Sequence, residues 1–313
     1  MDLRRELKRT TRAPAKLNLF LDLLGRRDDG FHEVETIMVP VRLADTVTFA
    51  PFRSGKGENV GEIVLDVFSC PPLRSPEISA PIPTGPENLI VRALKLLQER
   101  SGCELGAHVE LVKRIPAAAG LGGGSSDAAA ALRLANAGWQ LQWSDERLAE
   151  LAGEIGSDVP FFLSNGAALC RGRGERIERL PPLAPLDVVI VKPPVGLNTG
   201  EVYRAYSASS DCADRAQADN GGLADIAADF TGGRIRNLGL RMRNALQKAA
   251  SSISPWVDKL RMAFNELDFV GHQLSGSGSA YFGVCRHAQH ARRLANILRT
   301  QQLGTVYATR SCQ

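Results

Sequence analysis

The 313-residue sequence lacks the features that identify several large protein classes. Its six cysteines lie far apart and form no Cys-x-x-Cys pair, which argues against a metal site or a disulfide framework. No apolar run approaches the length of a membrane span, and the basic N-terminus has no apolar core of a signal peptide. We therefore expect a cytoplasmic protein with reduced cysteines and no membrane contact.

Aromatic residues and charges of one sign are also scarce. Aromatics make up 6% of the chain, and the net charge of +4 comes from dispersed lysines and arginines. Such a pattern contains no basic patch with interleaved aromatics, so we expect no nucleic-acid partner. The length allows one large domain or two medium ones. Pro181, Pro182 and Pro185 mark a candidate boundary, which predicts domains 1–183 and 184–313.

Strand and helix patterns alternate along the chain without an internal repeat. Leu17, Leu19, Leu21 and Leu23 alternate with polar residues, which predicts a strand over Ala15–Leu24. Further strands are predicted at Val34–Val41, Thr46–Phe49, Glu62–Phe68, His108–Ile115, Val188–Lys192 and Tyr281–Val284. Helices are predicted at Asn88–Glu99, from the glycine cluster to about Ala137, at Ser144–Ile155 with Ser144 as N-cap, and near 235–250 and 254–266.

A glycine cluster is the most informative feature that is present. Gly120, Gly122, Gly123 and Gly124 follow a predicted strand, and Ser125, Ser126 and an alanine-rich helix come next. Glycines let the backbone approach a ligand closely, and amides at a helix N-terminus bind phosphate groups. The cluster therefore predicts a site for a phosphorylated ligand.

Other glycine loops fit this sequence less well. A glycine cluster is often only a turn, but the strand before it and the helix after it favour a ligand here. No Lys-Ser/Thr pair follows, which excludes a Walker A loop, and the protein-kinase motifs are absent. A dinucleotide fingerprint is nearly matched, yet Ser125 replaces its third glycine. The remaining interpretation is a less common type of glycine loop, which holds a nucleoside triphosphate on a helix N-terminus.

Three other segments admit both a structural and a functional interpretation. Lys16 and Asn18 share one face of the first strand, which is by itself more typical of a solvated sheet face than of a binding cleft. Asp158 precedes Val159 and Pro160 and reads as a helix N-cap, although a carboxylate there could also serve as a general base. The stretch Ser275–Ser279 is either a flexible turn or a second source of amides for phosphate.

Taken in order, these segments resemble the GHMP kinases. The resemblance rests on Pro14–Leu19, Gly25–His32, Asn88–Ala93, Gly120–Ser126 and Gly156–Phe161, with a weaker return at 192–206 and 272–284. It implies an α+β fold of two domains, the N-terminal one like domain 2 of ribosomal protein S5 and the C-terminal one ferredoxin-like. It also implies an active site in the cleft between the domains.

Within the GHMP kinases, the chain is similar to those that phosphorylate the 2-hydroxyl of 4-diphosphocytidyl-2-C-methyl-D-erythritol. The resemblance implies ATP as co-substrate, a step in the non-mevalonate route to isoprenoid precursors, and a monomer or homodimer. It also implies that Asp158 is the general base and that Lys16 orients that carboxylate and stabilises developing charge. Phosphoryl transfer requires Mg²⁺, but no ligand set can be read from the sequence, and Ser126 is only a candidate.

The remaining site residues follow from the same resemblance. The triphosphate would lie on the loop made of Pro116, Ala117, Ala118, Ala119, Gly120, Leu121, Gly122, Gly123, Gly124, Ser125 and Ser126. Asn88 and Lys113 would lie near the adenine. The residues implied for the cytidyl substrate are Asn18, Phe31, His32, Thr199 and Tyr203, with aromatic rings stacking on the cytosine.

Two positions depart from the family pattern. Phe31 stands where tyrosine is usual, and Ala245 stands where aspartate is common. Three alternatives stay open at this point: a GHMP kinase for homoserine or mevalonate, a dinucleotide-dependent oxidoreductase, and an inactive nucleotide-binding protein. The segment Phe31-His32 argues against the first, because a cytosine clamp has no purpose with those alcohols.

Overall fold

The computed structural model describes residues 8–53, 61–70, 82–182, 184–209 and 221–312. The described residues fall into two compact units. The first is drawn from Met1–Ala15, Ala44–Ala117 and Gly122–Ser164, and the second from Lys16–Leu43, Ala118–Leu121 and Asn165–Gln313. Leu183, where the sequence predicts the domain boundary, lies outside the described residues. Cys212 and most of the polar segment that ends near Gly222 lie outside them as well.

Helices and strands are mixed along the chain, which confirms the predicted α+β class. The strands are β1 Arg9–Arg26, β2 His32–Phe52, β3 Ile63–Ser69, β4 Gly106–Lys113, β5 Ala168–Arg171, β6 Arg176–Arg179, β7 Asp187–Lys192, β8 Arg243–Asn244, β9 Gly271–Leu274, β10 Tyr281–Cys285 and β11 Thr305–Arg310. The helices are α1 Leu89–Ser101, α2 Gly123–Gly138, α3 Asp145–Ile155, α4 Val159–Leu163, α5 Thr199–Ser207, α6 Gly221–Thr231, α7 Ile235–Arg241, α8 Gln247–Ile253, α9 Pro255–Asn265 and α10 Ala288–Thr300. No helix among the described residues is both long and apolar enough to cross a membrane.

The first unit packs helices on a small sheet. Residues 46–52 of β2 pair antiparallel with β4, and β3 pairs parallel with β4. The small side chains of α2 let it pack closely against α1, and its last residue, Gly138, lies so near Phe49 that a Cβ would come within 2.6 Å of that ring. Phe49 also meets Trp139 edge to face, with 5.5 Å between ring centroids. This apolar core anchors the helix that follows the glycine loop.

The second unit contains a four-stranded antiparallel sheet in the order β11–β7–β10–β9. The chain enters it through β7, passes through helices to β9 and β10, and returns through α10 to β11. This order is the split βαβ arrangement of ferredoxin-like domains, as the resemblance implied. In the same unit, β5 pairs with residues 36–38 of β2 and with β6, and β8 pairs parallel with β1 at residues 20–21.

Two predicted element boundaries are wrong. The strands predicted at Val34–Val41 and Thr46–Phe49 form one continuous strand, β2, because Asp45 lies in a buried ion pair rather than in a turn. The helix predicted at 235–250 is split into α7 and α8. Between them, Asn244 pairs with β1 and its side chain accepts a hydrogen bond from Leu246 N, which holds the chain out of a helix.

Candidate active site

Lys16 and Asn18 are buried, so the solvated sheet face is the wrong interpretation of this pair. Their exposed fractions are 4% and 2%. The Lys16 ammonium donates to Asn18 Oδ1 at 2.7 Å, and Asn18 Nδ2 donates to the hydroxyl of Thr36 at 2.8 Å. Thr36 in turn donates to the carbonyl of Phe20 at 2.6 Å. Each side chain therefore holds the next, and the cation has a fixed position in the second unit.

The second glycine-serine loop lies directly on this pair. Gly276 has φ 55°, and a Cβ there would come within 3.2 Å of Asn18 Oδ1 and 3.3 Å of Lys16 Nζ. Asn244 holds the loop from behind, since its Nδ2 donates to Leu274 O at 2.9 Å and to Gly276 O at 2.8 Å. The loop is therefore a turn that is fixed by hydrogen bonds, not a flexible one.

Part of the first glycine loop also belongs to the second unit and packs against the second loop. Gly120 has φ 71°, and a Cβ there would lie only 2.0 Å from Ser275 O, so the position admits no side chain. The Ser275 hydroxyl donates to Gly120 O at 3.0 Å, and Ala280 N donates to Ala119 O at 3.1 Å. The two loops predicted to bind phosphate thus lie together, 155 positions apart in the chain.

The rest of the first loop opens α2 in the first unit. Gly122 takes the N-cap position at φ 68°, and no side chain caps the helix there. Ser126 is 1% exposed, and its hydroxyl oxygen has no hydrogen-bond partner among the residues that the structure describes. Because a buried polar atom is seldom left unpaired, this hydroxyl indicates a partner supplied by a ligand.

Lys113 lies in a buried ion cluster with Asp45 and Asp127. Its ammonium contacts a carboxylate oxygen of Asp45 and lies 2.7 Å from Asp127 Oδ2. Asp45 Oδ1 also accepts from the amide of Ile115 at 2.8 Å. Asp127 stands on α2 and Ile115 precedes the glycine loop, so the cluster joins the two ends of the loop.

The cluster contains two carboxylates and one cation, and its pKa values reflect that imbalance. Burial raises the pKa of Asp127, Lys113 lowers it, and the charge of Asp45 raises it further, so that it ends well above its ordinary value. Burial alone would lower the pKa of Lys113, but Asp127 and Asp45 outweigh burial and raise it. The ammonium therefore stays charged, and the cluster readily takes up a proton on Asp127.

Asp158 takes the N-cap position just before α4, but its side chain caps no backbone amide of that helix. The predicted capping role is therefore wrong, and the half-buried carboxylate is left to other contacts. Asn88 does act as a cap: its Oδ1 accepts from Ile90 N at 2.9 Å, and its Nδ2 donates to Pro83 O at 2.7 Å. Ser144 caps α3 as predicted.

An aromatic cluster surrounds His32 in the second unit. The ring of Tyr203 lies 5.4 Å from that of His32, and the ring of Tyr206 lies 5.9 Å away and edge-on. Phe31 is outside this cluster: the residue is 52% exposed, and its ring lies under the guanidinium of Arg173 at 5.1 Å. The structure therefore brings His32 and Tyr203 together and leaves Phe31 with an open face.

The start of α5, at Thr199, is hydrogen-bonded to the second glycine-serine loop. The hydroxyls of Thr199 and Ser277 lie 2.9 Å apart. Lys192, which is 2% exposed, donates to the carbonyls of Pro193 at 2.7 Å and Val195 at 2.8 Å. Burial lowers the pKa of Lys192 to about 8. A buried lysine thus orders the segment that presents Thr199.

Sequence analysis missed Asp45 and Asp127, and it gave no role to Asn244, Lys192 or Ser207. An aspartate inside an apolar strand was the one available signal for Asp45, since a charge seldom lies there unpaired. No pattern pointed to Ser207, which contacts His32 from 175 positions away. Among the described residues, no group of three or more His, Cys, Asp or Glu side chains could hold a metal ion.

Comparisons with known proteins agree with this geometry. Residues 88–166 match the family described as the GHMP kinases N terminal domain, and residues 226–303 match the GHMP kinases C terminal. A 4-diphosphocytidyl-2-C-methyl-D-erythritol kinase of Pelotomaculum thermopropionicum is 41% identical over 91% of this chain and 92% of its own length. A kinase with the same name from a Synechococcus species is 40% identical over 90% of each chain.

Solved structures show the same relationship. The crystal structure of a 4-(cytidine 5'-diphospho)-2C-methyl-D-erythritol kinase matches with a TM-score of 0.77 at 34% identity, and covers 97% of this chain and 100% of its own. A homoserine kinase from Cytophaga hutchinsonii, at 18% identity, shares the fold with a TM-score of 0.73 over 98% of this chain and 95% of its own. The chain is a GHMP kinase and belongs to the family of 4-diphosphocytidyl-2-C-methyl-D-erythritol kinases.

Proposed function

We propose that this protein transfers the γ-phosphoryl group of ATP to the 2-hydroxyl of 4-diphosphocytidyl-2-C-methyl-D-erythritol, in the non-mevalonate route to isoprenoid precursors. The observation that carries the proposal is the match, over about nine-tenths of the chain, to kinases named for this substrate. The paired glycine loops and the buried Lys16 support it, because they supply amides and a positive charge for a triphosphate.

In the reaction, the oxygen of the 2-hydroxyl forms a bond to the γ-phosphorus. The bond from that phosphorus to the oxygen shared with the β-phosphate breaks, and ADP leaves with the electron pair. Asp158 accepts the hydroxyl proton, and Lys16 stabilises the negative charge that develops on the transferred group. Support for Asp158 comes from its carboxylate, which is half-buried and not used to cap α4.

The nucleotide is proposed to bind along Pro116–Ser126, with its adenine near Asn88 and Lys113. Gly122 leaves the amides at the start of α2 without a side-chain cap, so they can donate to phosphate oxygens. The ion cluster of Lys113, Asp45 and Asp127 ties both ends of the loop together, which keeps these amides in place before ATP arrives.

Mg²⁺ is proposed to accompany ATP, and the Ser126 hydroxyl is the residue that would hold it. This hydroxyl is buried and has no partner among the described residues, which fits an oxygen ligand. The ion would neutralise charge on the β- and γ-phosphates.

The cytidyl end of the substrate is proposed to bind at His32 and Tyr203, with the open face of Phe31 against the base. Asn18 and Thr199 would donate hydrogen bonds to the rest of the substrate. Their own hydrogen bonds fix their orientation, which lowers the entropy lost on binding. The cytoplasmic location, the domain boundary at 183 and the choice between monomer and homodimer stay predictions.

Coupled ADP release by the purified protein tests the proposal. Mg-ATP would be supplied with the cytidyl substrate, and homoserine and mevalonate would be tested in parallel. We expect turnover with the cytidyl compound alone. Turnover with either other alcohol, tight NAD(P) binding without ATP binding, or ATP binding with no turnover of any of them would each contradict it.

A further inference from the structure

Ser207, in the last turn of α5, contacts two groups that compete for its hydroxyl proton. Its Oγ lies 3.0 Å from the carbonyl oxygen of Tyr203 and 3.0 Å from Nε2 of His32. A hydroxyl carries one proton, and a carbonyl oxygen can only accept. When Ser207 donates to Tyr203, its oxygen accepts, so the proton between Ser207 and His32 is on Nε2.

His32 is neutral at physiological pH, which makes its other nitrogen an acceptor. Burial, aided by the nearby charge of Arg26, lowers the pKa of His32 below its ordinary value. A neutral imidazole has one N–H, so an imidazole that donates from Nε2 to Ser207 presents a lone pair on Nδ1. None of the residues that the structure describes hydrogen-bonds to Nδ1, and Tyr203 and Tyr206 pack against the ring.

We propose that Ser207 is a positioning residue that sets the base specificity through His32: it fixes His32 in the Nε2–H tautomer, and Nδ1 then selects a pyrimidine with an amino group at C4. Such a base donates a hydrogen bond to Nδ1. A base with a carbonyl at C4 would place two acceptors face to face, leaving both unpaired and desolvated. The proposal rests on the proposed function, since it takes the His32 cluster as the base-binding end of the site.

Three variants separate this role from a merely structural one. Ser207→Ala removes the acceptor for the Nε2 proton, whereas Ser207→Thr keeps a hydroxyl there. Ser209→Ala is the matched control, because the hydroxyl of Ser209 donates in the same way to the carbonyl of Tyr206, at 2.7 Å, and contacts no histidine.

Two measurements on each protein decide the question. The first is the ¹⁵N NMR spectrum of histidine-labelled protein, which shows which nitrogen of His32 is protonated. The second is the ratio of kcat/KM for the cytidyl substrate to kcat/KM for its uracil analogue. In Ser207→Ala we expect a mixture of tautomers and a ratio reduced about tenfold, mainly through KM. Ser207→Thr and Ser209→Ala should keep the wild-type tautomer and ratio.

A wild-type spectrum with the proton on Nδ1, or an unchanged ratio in Ser207→Ala, would overturn the proposal. Failure of the proposed function gives a different result, namely no turnover of either nucleotide substrate. In that case the spectrum still decides the tautomer, because it needs no substrate.

Discussion

Replacement of Lys113 by methionine should destabilise the first unit strongly. The Lys113 ammonium is the cation that contacts two acidic side chains in the core, Asp45 and Asp127, which are 0% and 3% exposed. Methionine fills a similar volume but leaves both carboxyl groups in the core without a cation. Removal of one partner from a buried ion pair costs about 3–5 kcal/mol, and we expect a loss of that size at pH 7.

The loss of folding stability should become smaller as the pH falls, because a buried carboxyl group without a cation is more stable when it is protonated. Burial raises the folded-state pKa of Asp127 above the unfolded value of about 3.9, and loss of Lys113 removes the charge that opposes this rise. Such groups bind protons more tightly in the folded state, so the folded state gains stability as the pH falls toward the unfolded pKa. The variant should therefore recover part of its stability between pH 7 and pH 5. Adding Asp127→Asn to the Lys113→Met variant should restore part of the lost stability at pH 7.

Urea unfolding followed by tryptophan fluorescence measures this effect. Trp139 and Trp143 both lie in the first unit, and Trp139 is buried against Phe49, so two of the three tryptophans report on this core. Trp256, in the second unit, is replaced by phenylalanine in every protein compared. Lys95→Met is the control, because Lys95 is exposed on α1 and its replacement should change stability by no more than about 0.5 kcal/mol. A loss at pH 7 no larger than that of the control, or a loss independent of pH, would refute the reasoning.

Three further predictions concern the site. Asp158→Asn should lower kcat by about a hundredfold or more while ATP binding stays close to wild type, and a near-normal kcat would rule out a general base there. Phe31→Ala should raise KM for the cytidyl substrate about tenfold and leave KM for ATP nearly unchanged, because only the base would stack on this ring; equal effects on both would contradict the stacking role. Burial lowers the pKa of Lys192 from 10.5 to about 8. Between pH 8 and pH 10.5 the lysine is therefore protonated in the unfolded chain and mostly neutral in the folded one, so wild-type stability should rise with pH over this range. Lys192→Met should abolish that rise in urea titrations, and a rise of equal size in the variant would show that Lys192 is not its source.

Sequence patterns predicted those parts of the site that depend on local geometry. The glycines at 120 and 276 have positive φ angles, and Ser144 caps its helix, because these roles depend on neighbours a few positions away. The α+β class follows from strand and helix periodicity in the same way. Local signals of this kind need no knowledge of what packs on either side.

Other features depend on residues that are distant in the chain. The alternation around Lys16 indicated one solvated face, but the loop at Gly276 covers that face, and no pattern near Lys16 contains this information. Likewise, Asp158 satisfied the rule for a helix cap without making the bond. Asp45 joins Lys113 across 68 positions, so its role becomes visible only when the two strands are paired.

The packing of the two glycine loops has a consequence for the newly made chain. Ala119 O and Gly120 O receive their hydrogen bonds from Ala280 and Ser275. During synthesis, these carbonyls have no native partner until about nine-tenths of the chain has left the ribosome. The bend at Gly120 lacks these two hydrogen bonds until then, so a nascent chain completes its nucleotide loop only late in synthesis.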